Sequence, residues 1–168
     1  MPQRLALNDK WMKVKGVCLH EDAGVLGNAV PWQVWERRLK ELKAIGVNAI
    51  RMSHNPHAPM IYSLCDSLGL LVMDEASDEW EFPKRKWLKG WNVGEPGFQG
   101  TYDFFEQWID RDVRDMVRRD RRHTSVFLWS IGNEVDYPND PYSHPVLNGS
   151  SITQPMYGGY NPNAPHAE

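Results

Sequence analysis

The sequence predicts an α/β fold in which parallel strands alternate with helices. Four apolar runs of strand length alternate with three helical patterns: strands at residues 14–19, 47–52, 70–73 and 126–132, and helices at 31–45, 60–68 and 101–122. Three strand–helix repeats followed by a fourth strand indicate a parallel sheet. Polar, reaction-capable residues follow each strand, and (β/α) barrels place their catalytic groups at this end of their strands.

A doubly wound dinucleotide-binding fold is the competing architecture. It requires G-x-G-x-x-G after the first strand, but the chain offers only Gly24 and Gly27 in EDAGVLGN, and it has no P-loop pattern. A complete (β/α)8 barrel takes eight strands and typically about 250 residues. This chain of 168 residues supplies four strands, so we expect the first half of such a barrel, about four βα units, over residues 1–135.

Three segments lie outside the strand–helix repeats. Residues 4–15 alternate around Asn8 and Asp9, which predicts a short hairpin before the barrel strands. Residues 77–100 show no period but are rich in aromatic side chains, which favours a functional loop over disorder. Residues 136–168 are rich in Pro, Asn, Tyr and Gly, which predicts a long loop after the fourth strand or a truncated tail.

Composition excludes several classes of function. The net charge of −3 gives no field that would attract nucleic acid, and aspartates interleave with the arginines of the helix at 101–122. No apolar run approaches the roughly 18 residues of a membrane-spanning helix. The N-terminus MPQRLALNDKW lacks the apolar segment and cleavage site of a signal peptide, and the cellular compartment is left open.

Apolar content also predicts burial. Five of the first six residues from Val126 are apolar or aromatic, so we expect this strand to be buried on both faces. Cys18 and Cys65 fall in a predicted strand and a predicted helix, and we expect both to be small buried hydrophobic residues rather than a disulfide or a metal site.

The ends of the predicted strands carry acids, imidazoles and a guanidinium. In chain order they supply His20, Glu21 and Asp22, then Arg51 and His54, then Asp74, Glu75 and Glu79, and finally Asn133 and Glu134. Such a set suits general acid/base chemistry on a polar, hydroxyl-rich substrate.

Four sequence runs carry a specific resemblance. GVCLHED, NAIRMSHNPH, LCDSLGLLVMDEA and DRRHTSVFLWSIGNE, in this order, closely resemble the catalytic TIM barrel of the family-2 glycoside hydrolases, which include β-galactosidases, β-glucuronidases and β-mannosidases. The resemblance implies retaining hydrolysis of terminal β-glycosidic bonds in a carbohydrate substrate, with Glu134 as the general acid/base and Asn133 binding the sugar 2-hydroxyl. The segment DEASDEW is most similar to the β-galactosidase branch.

The resemblance also assigns further residues to the substrate. His20, Arg51 and His54 match positions that line the sugar pocket. Apart from the resemblance, Glu79 and Trp80 fall in the aromatic segment 77–100 and are expected to contact the sugar, with a place in the core as the alternative for Trp80. Structural alternatives stay open for some of them: Arg51 as an ion-pair partner inside the barrel, His54 as a cap of the following helix, and Glu75 as a buried acid paired with Arg51.

Retaining hydrolysis needs a second carboxylate as nucleophile, roughly 5 to 5.5 Å from the first. The resemblance places that nucleophile on a seventh strand, beyond residue 168, and implies β-sandwich domains before the barrel. We therefore expect an internal fragment that is inactive alone, needs the rest of the polypeptide, and would aggregate or form a homo-oligomer by itself. The alternative hypothesis is a non-catalytic sugar-binding or structural half-barrel.

No metal ligand is assigned from the sequence. In some β-galactosidases a Glu and a His two residues later help to hold magnesium near the acid/base, and here the matching positions are Glu79 and Glu81. The His is therefore missing. His54 and His57 are separated by Pro56 and cannot share a helix face as zinc ligands do.

Overall fold

The computed structural model describes residues 5–80, 83–90, 93–94 and 97–135. These residues fall into two compact units. Of the described residues, unit 1 contains those up to Asp74 together with Val117–Trp129, and unit 2 contains those between Glu75 and Met116 together with those from Ser130 to Val135. The predicted tail at 136–168 lies outside the described residues.

The predicted hairpin at the N-terminus is confirmed. Strands β1 (Ala6–Leu7) and β2 (Lys10–Trp11) pair in antiparallel fashion through a two-residue turn. Asn8 and Asp9 both have positive φ angles, of 49° and 62°. This is the backbone that a tight hairpin turn requires, and Asn and Asp tolerate it better than most residues do.

The strand–helix alternation is also confirmed. After the hairpin the elements are β3 (Gly16–His20), α1 (Trp32–Ala44), β4 (Ala49–Ser53), α2 (Pro59–Leu68), β5 (Leu71–Glu75), β6 (Arg85–Lys86), β7 (Gly97–Phe98), α3 (Phe105–Asp120) and β8 (Val126–Ser130). Four of the strands form one sheet in the order β3-β4-β5-β8, and the pairs β3–β4 and β4–β5 are parallel. The predicted helix at 101–122 begins as a 3₁₀ turn, Thr101–Phe104, before α3.

The core of unit 1 lies where α1 and α2 pack on one face of the sheet. Trp35 and Leu39 of α1 are 1% and 0% exposed, as the apolar stripe at helical spacing predicts. The buried cluster also contains Val30, Ile50, Met52, Ile61, Tyr62, Cys65, Leu70 and Val72. Gly69 ends α2 in the left-handed conformation, with a φ of 64°.

Two burial expectations are wrong. Phe127, Leu128 and Trp129 of β8 are 38 to 40% exposed, so this strand is not buried on both faces; β8 is one of the two edge strands of the sheet and has a neighbouring strand on one side only. Cys18 is exposed, since it lies on the face of β3 opposite to Val17 and Leu19, which pack against the core. Cys65 is buried as expected.

Unit 2 contains a feature that the sequence did not predict. Within the segment 77–100, β6 and β7 pair in antiparallel fashion, and strands of two residues are too short to show a period. The charged side of α3 carries the ion pairs Arg111–Asp115 and Arg114–Asp110 at i,i+4 spacing, which supports a solvated face. In the described part of the chain, no helix is both long enough and apolar enough to span a membrane.

Candidate functional site

Two of the predicted sugar-pocket residues meet in unit 1. His20 ends β3 and His54 follows β4, and their imidazole rings lie edge to face with centroids 5.2 Å apart. Arg51 of β4 is half-buried and pairs in register with Cys18 and Met73. Since side chains alternate along a strand, Arg51 lies on the face opposite to the buried Ile50 and Met52.

A buried histidine fixes the loop that carries His54. The ring nitrogens of His57 lie 2.8 Å from the Asn55 carbonyl oxygen and 2.7 Å from the Leu19 carbonyl oxygen. The loop after β4 is thereby tied to β3. The N-cap of α2 is Ala58, whose backbone N–H donates to the Glu21 carboxylate, so the alternative of His54 as the helix cap is wrong.

Asp74 is a strand-end carboxylate that contacts helix α2 of unit 1. It is fully buried on the helix side of the sheet, and the Tyr62 hydroxyl donates to its Oδ1 at 2.7 Å. Burial raises the pKa of Asp74 to about 7, and the hydrogen bond from Tyr62 opposes that shift only in part because the neighbouring Asp120 adds to it. Asp74 therefore belongs to the structural core of unit 1.

Glu134 adopts an unusual backbone conformation in unit 2. Its φ is 46°, in the left-handed region that few residues other than glycine adopt. Its Oε2 lies 2.8 Å from the Nζ of Lys84, and the side chain of Glu134 is 41% exposed. A strained residue that is held by an ion pair and open to solvent is typical of functional sites.

Lys84 links Glu134 to a second carboxylate. Its side chain is 5% exposed, and its Nζ also lies 3.0 Å from Asp78 Oδ1. Burial alone would lower the pKa of Lys84, but the hydrogen bond from its ammonium to Glu134 and the charge of Asp78 raise it above its ordinary value. Lys84 is therefore a buried, fixed positive charge.

Asn133 belongs to the same network. Its Nδ2 donates to Asp78 Oδ1 at 3.2 Å, and its backbone N–H donates to the Ser77 carbonyl oxygen at 2.9 Å. The two predicted site residues that follow β8 are thus joined through Asp78 and Lys84.

Glu79 is 1% exposed and accepts hydrogen bonds from four protein groups. The backbone N–H groups of Lys84 and Tyr102 donate at 2.9 and 3.0 Å, the Thr101 hydroxyl donates at 3.3 Å, and the Lys86 ammonium forms an ion pair. Burial alone would raise the pKa of the Glu79 carboxyl, but the hydrogen bonds from Lys86, Tyr102 and Lys84 hold it below its ordinary value. The predicted contact of Glu79 with a sugar stays a prediction.

Trp80 packs against Gly132 and Phe105. The rings of Trp80 and Phe105 lie edge to face, 4.9 Å apart, and a Cβ atom at Gly132 would be 3.0 Å from Trp80 Cε3. Any larger residue at position 132 would therefore require Trp80 to move by a few tenths of an ångström. Trp80 is half-buried, so part of its surface is accessible to a ligand.

The residues of this site do not fit a magnesium ion. The Glu79 carboxylate faces two N–H groups, a hydroxyl and an ammonium, and the Lys84 ammonium lies between Asp78 and Glu134. A divalent cation would have to displace these positive and donor groups. Glu81 lies outside the described residues, and within those residues no three His, Cys, Asp or Glu side chains are grouped as a metal site would need.

Unit 2 also contains a cavity of about 360 Å³. It is lined by Ala76, Ser77, Thr101, Phe104, Phe105, Trp108, Ile109 and Asp112. None of the sequence-predicted site residues lines it.

Asp78 and Lys84 were not among the predicted site residues. Both fall in the segment 77–100, which has no helix or strand period, so the sequence alone does not predict which way their side chains face. Asp78 is one residue before Glu79 in DEASDEW, and this proximity was the only available signal for it.

The chain is similar in sequence and in structure to known glycoside-cleaving enzymes. The chain is 46% identical over 129 residues to the β-galactosidase BoGH2A of Bacteroides ovatus, covering 77% of this chain and 14% of that protein. The chain also matches the crystal structure of a β-glycosidase from Bacteroides vulgatus, with a TM-score of 0.66 and 43% sequence identity. The match covers 77% of this chain and 15% of the β-glycosidase chain. A third match is the structure of a β-glucuronidase from Ruminococcus gnavus in complex with C6-substituted uronic isofagomine, with a TM-score of 0.62 and 30% sequence identity. This match covers 78% of this chain and 20% of the β-glucuronidase chain.

The chain thus spans about a seventh of the length of the Bacteroides ovatus relative that it matches. The family model of the glycosyl hydrolases family 2, TIM barrel domain, matches residues 2–147. This match agrees with the parallel sheet and confirms the predicted partial (β/α) barrel. The chain belongs to glycosyl hydrolase family 2 and carries part of its TIM barrel domain.

Proposed function

We propose that this chain takes part in the hydrolysis of terminal β-glycosidic bonds, with β-galactosides as the first choice of substrate. The observation that carries the proposal is Glu134, which follows β8, has a φ of 46° and is paired with the buried Lys84. Carboxylates at this end of a barrel strand are where the fold presents catalytic groups.

The proposed reaction is a retaining double displacement. In the first step the carboxylic acid of Glu134 gives its proton to the glycosidic oxygen, while a second carboxylate attacks the anomeric carbon and the aglycone leaves. In the second step Glu134, now a carboxylate, takes a proton from water as the water oxygen attacks the anomeric carbon, and the bond from that carbon to the second carboxylate breaks. We assign the second carboxylate to the part of the polypeptide beyond residue 168.

The remaining predicted residues receive separate roles in this proposal. Asn133 hydrogen-bonds the sugar 2-hydroxyl, and His20, Arg51 and His54 contact the sugar hydroxyls. Glu79 holds the segment 77–100 in place, because its carboxylate oxygens already accept hydrogen bonds from four protein groups. The accessible part of Trp80 offers an apolar surface to the sugar ring.

The choice of sugar rests on the relatives. The protein from Bacteroides ovatus, 46% identical, is named a β-galactosidase, and the 30% identical solved structure is named a β-glucuronidase. A β-galactoside is therefore the first substrate to test and a β-glucuronide the second.

The test uses the complete polypeptide that contains this chain, with Glu134→Gln. We expect losses on the order of 10² to 10⁴ in kcat/KM for alkyl β-galactosides, which need protonation of the leaving group. The glycosylation rate for activated aryl β-galactosides should change little, because those leaving groups depart without a proton. Glu106→Gln, at an exposed position of α3, is the matched control and should leave both rates unchanged.

Equal losses for both substrate types would contradict the role of Glu134. The competing hypothesis of a non-catalytic sugar-binding protein predicts a different result. In that case the wild-type polypeptide would hydrolyse no aryl β-glycoside, while calorimetry would still detect binding of galactose or glucuronate.

A further inference from the structure

We propose that Lys84 is the positioning residue that holds Glu134 for catalysis and couples it, through Asp78, to Asn133. This inference deepens the proposed function and rests on it. It assigns a task to a residue of the aperiodic loop that none of the sequence patterns singled out.

The burial of Lys84 is the first observation. A lysine needed only for solubility would extend into water, but this side chain is 5% exposed while its two partners, Asp78 and Glu134, are 39% and 41% exposed. The protein thus presents a fixed cation from its interior to carboxylates that remain accessible. Burying a charge is unfavourable unless the charge is paired, so the two carboxylates are required partners.

Lys84 is held at both ends. Its backbone N–H donates to Oε1 of Glu79, which is itself 1% exposed and bound to Tyr102 and Lys86. Its ammonium donates to Oε2 of Glu134 at 2.8 Å. A rigid connection therefore runs from the buried Glu79 through the whole length of Lys84 to the accessible Glu134.

Glu134 needs such support because of its own backbone. A φ of 46° is unfavourable for a glutamate and persists only where neighbouring groups determine it. The ion pair restricts the rotamers of the Glu134 side chain, and the hydrogen bond from Asn133 to the shared Asp78 fixes the preceding residue as well.

The charges of Lys84 and Asp78 act on Glu134 in opposite directions. Among the described residues, Asp78 and Glu134 lie within hydrogen-bonding distance of the Lys84 ammonium, while Glu79 contacts the backbone of Lys84 and the Lys86 ammonium. The Lys84 ammonium attracts the Glu134 carboxylate, and Asp78 competes for the same ammonium. Loss of Lys84 should therefore release Glu134, and loss of the Asp78 charge should loosen the link to Asn133.

The experiment compares Lys84→Met and Asp78→Asn in the complete polypeptide with an alkyl β-galactoside, whose leaving group needs the Glu134 proton, and with an activated aryl β-galactoside, whose leaving group does not. For the alkyl substrate we expect Lys84→Met to lower kcat on the order of 10- to 100-fold through misplacement of Glu134, with KM within about twofold. The loss should be much smaller for the aryl substrate, and Asp78→Asn should show the same dependence on the leaving group with a smaller loss. Lys89→Met, an exposed lysine of the same loop, is the matched control and should change kcat for neither substrate.

If Lys84→Met does not fold, its melting transition will be absent, and the rates of Asp78→Asn then test the proposal by themselves. Equal losses for the alkyl and aryl substrates, or no loss in either variant, would overturn the role of Lys84. That failure is distinguishable from failure of the proposed function, because Glu134→Gln would still discriminate between alkyl and aryl leaving groups. If Glu134→Gln does not discriminate, the proposed function itself is contradicted.

Discussion

The two units bury different kinds of side chain. In unit 1 the fully buried side chains are mainly apolar, with Trp35, Leu39 and Ile50 at the centre. In unit 2 the buried side chains include Glu75, Glu79 and Lys84, none more than 5% exposed. One unit is therefore stabilised mainly by removal of apolar surface from water, and the other depends on paired charges.

This difference determines how precisely each unit fixes the positions of its side chains. Apolar burial is non-directional and tolerates small displacements of its partners. A buried ion pair or hydrogen bond requires particular atoms at particular distances, and loss of one partner leaves the other unsatisfied. Unit 2 thus gains a defined geometry around Glu134 and is sensitive to single changes. Variants in unit 1 should affect stability, and variants in unit 2 should affect local order and activity.

The largest expected effect is on the stability of unit 1. Trp35→Ala removes a side chain that is 1% exposed, and we expect a loss of about 3 to 5 kcal/mol in the free energy of unfolding, measured by urea denaturation. Trp32→Ala is a matched control in the same helix, since Trp32 is 49% exposed and should cost much less. Similar losses for both variants would show that Trp35 is not the centre of an apolar core.

Asp74 gives unit 1 a dependence on pH. Its folded-state pKa of about 7 lies above the ordinary value of 3.8, so between these values the folded state holds a proton that the unfolded chain has released. Stability should therefore be greatest below about pH 4 and fall as pH rises through 7, on the order of 2 to 4 kcal/mol if other titrations are subtracted.

Asp74→Asn tests this dependence, because asparagine resembles the protonated acid and can still accept the Tyr62 hydrogen bond. Urea unfolding at pH 5 and pH 8 should show a smaller pH difference for this variant than for the wild type. Asp110→Asn, at an exposed position of α3, should keep the wild-type difference. A variant with an undiminished pH difference would assign the effect to other groups.

The sequence predicted unit 1 better than unit 2, for a physical reason. Helices and buried strands repeat with periods of 3.6 and 2, so α1 was predicted at 31–45 and observed as Trp32–Ala44. The segment 77–100 has no period, and the direction of Lys84 depends on the path of the whole loop. Its pairing with Glu134, 50 positions away, leaves no pattern in the sequence.

Strand ends show a second limit of prediction. Asp74 and Glu75 are adjacent acids after an apolar run, and the sequence does not indicate which of the two faces the core. Alternation along β5 places their side chains on opposite faces, and only the structure shows that Asp74 faces Tyr62 on the helix side. The same alternation explains Cys18, which lies in a strand as predicted but on its exposed face.

The smallest expected effect is local and lies in unit 2. Glu79→Gln keeps the size of the side chain but replaces one acceptor oxygen by an NH₂ donor, which must then face another donor. We expect the loop to lose about 1 to 3 kcal/mol of local stability, because the hydrogen bonds to a charged group are weakened. Hydrogen exchange of the Lys84 and Tyr102 amides, which both donate to Glu79, should accelerate on the order of 10- to 100-fold.

The amides of α1 provide the internal reference for this measurement, because α1 lies in the apolar core of unit 1. If the two units open independently, exchange in α1 should be unchanged in Glu79→Gln, and Glu106→Gln should alter neither region. Equal acceleration in the loop and in α1 would mean that the ion pairs of unit 2 contribute to global stability. The division between an apolar unit that provides stability and a charged unit that provides geometry would then be wrong, since a single opening would expose both.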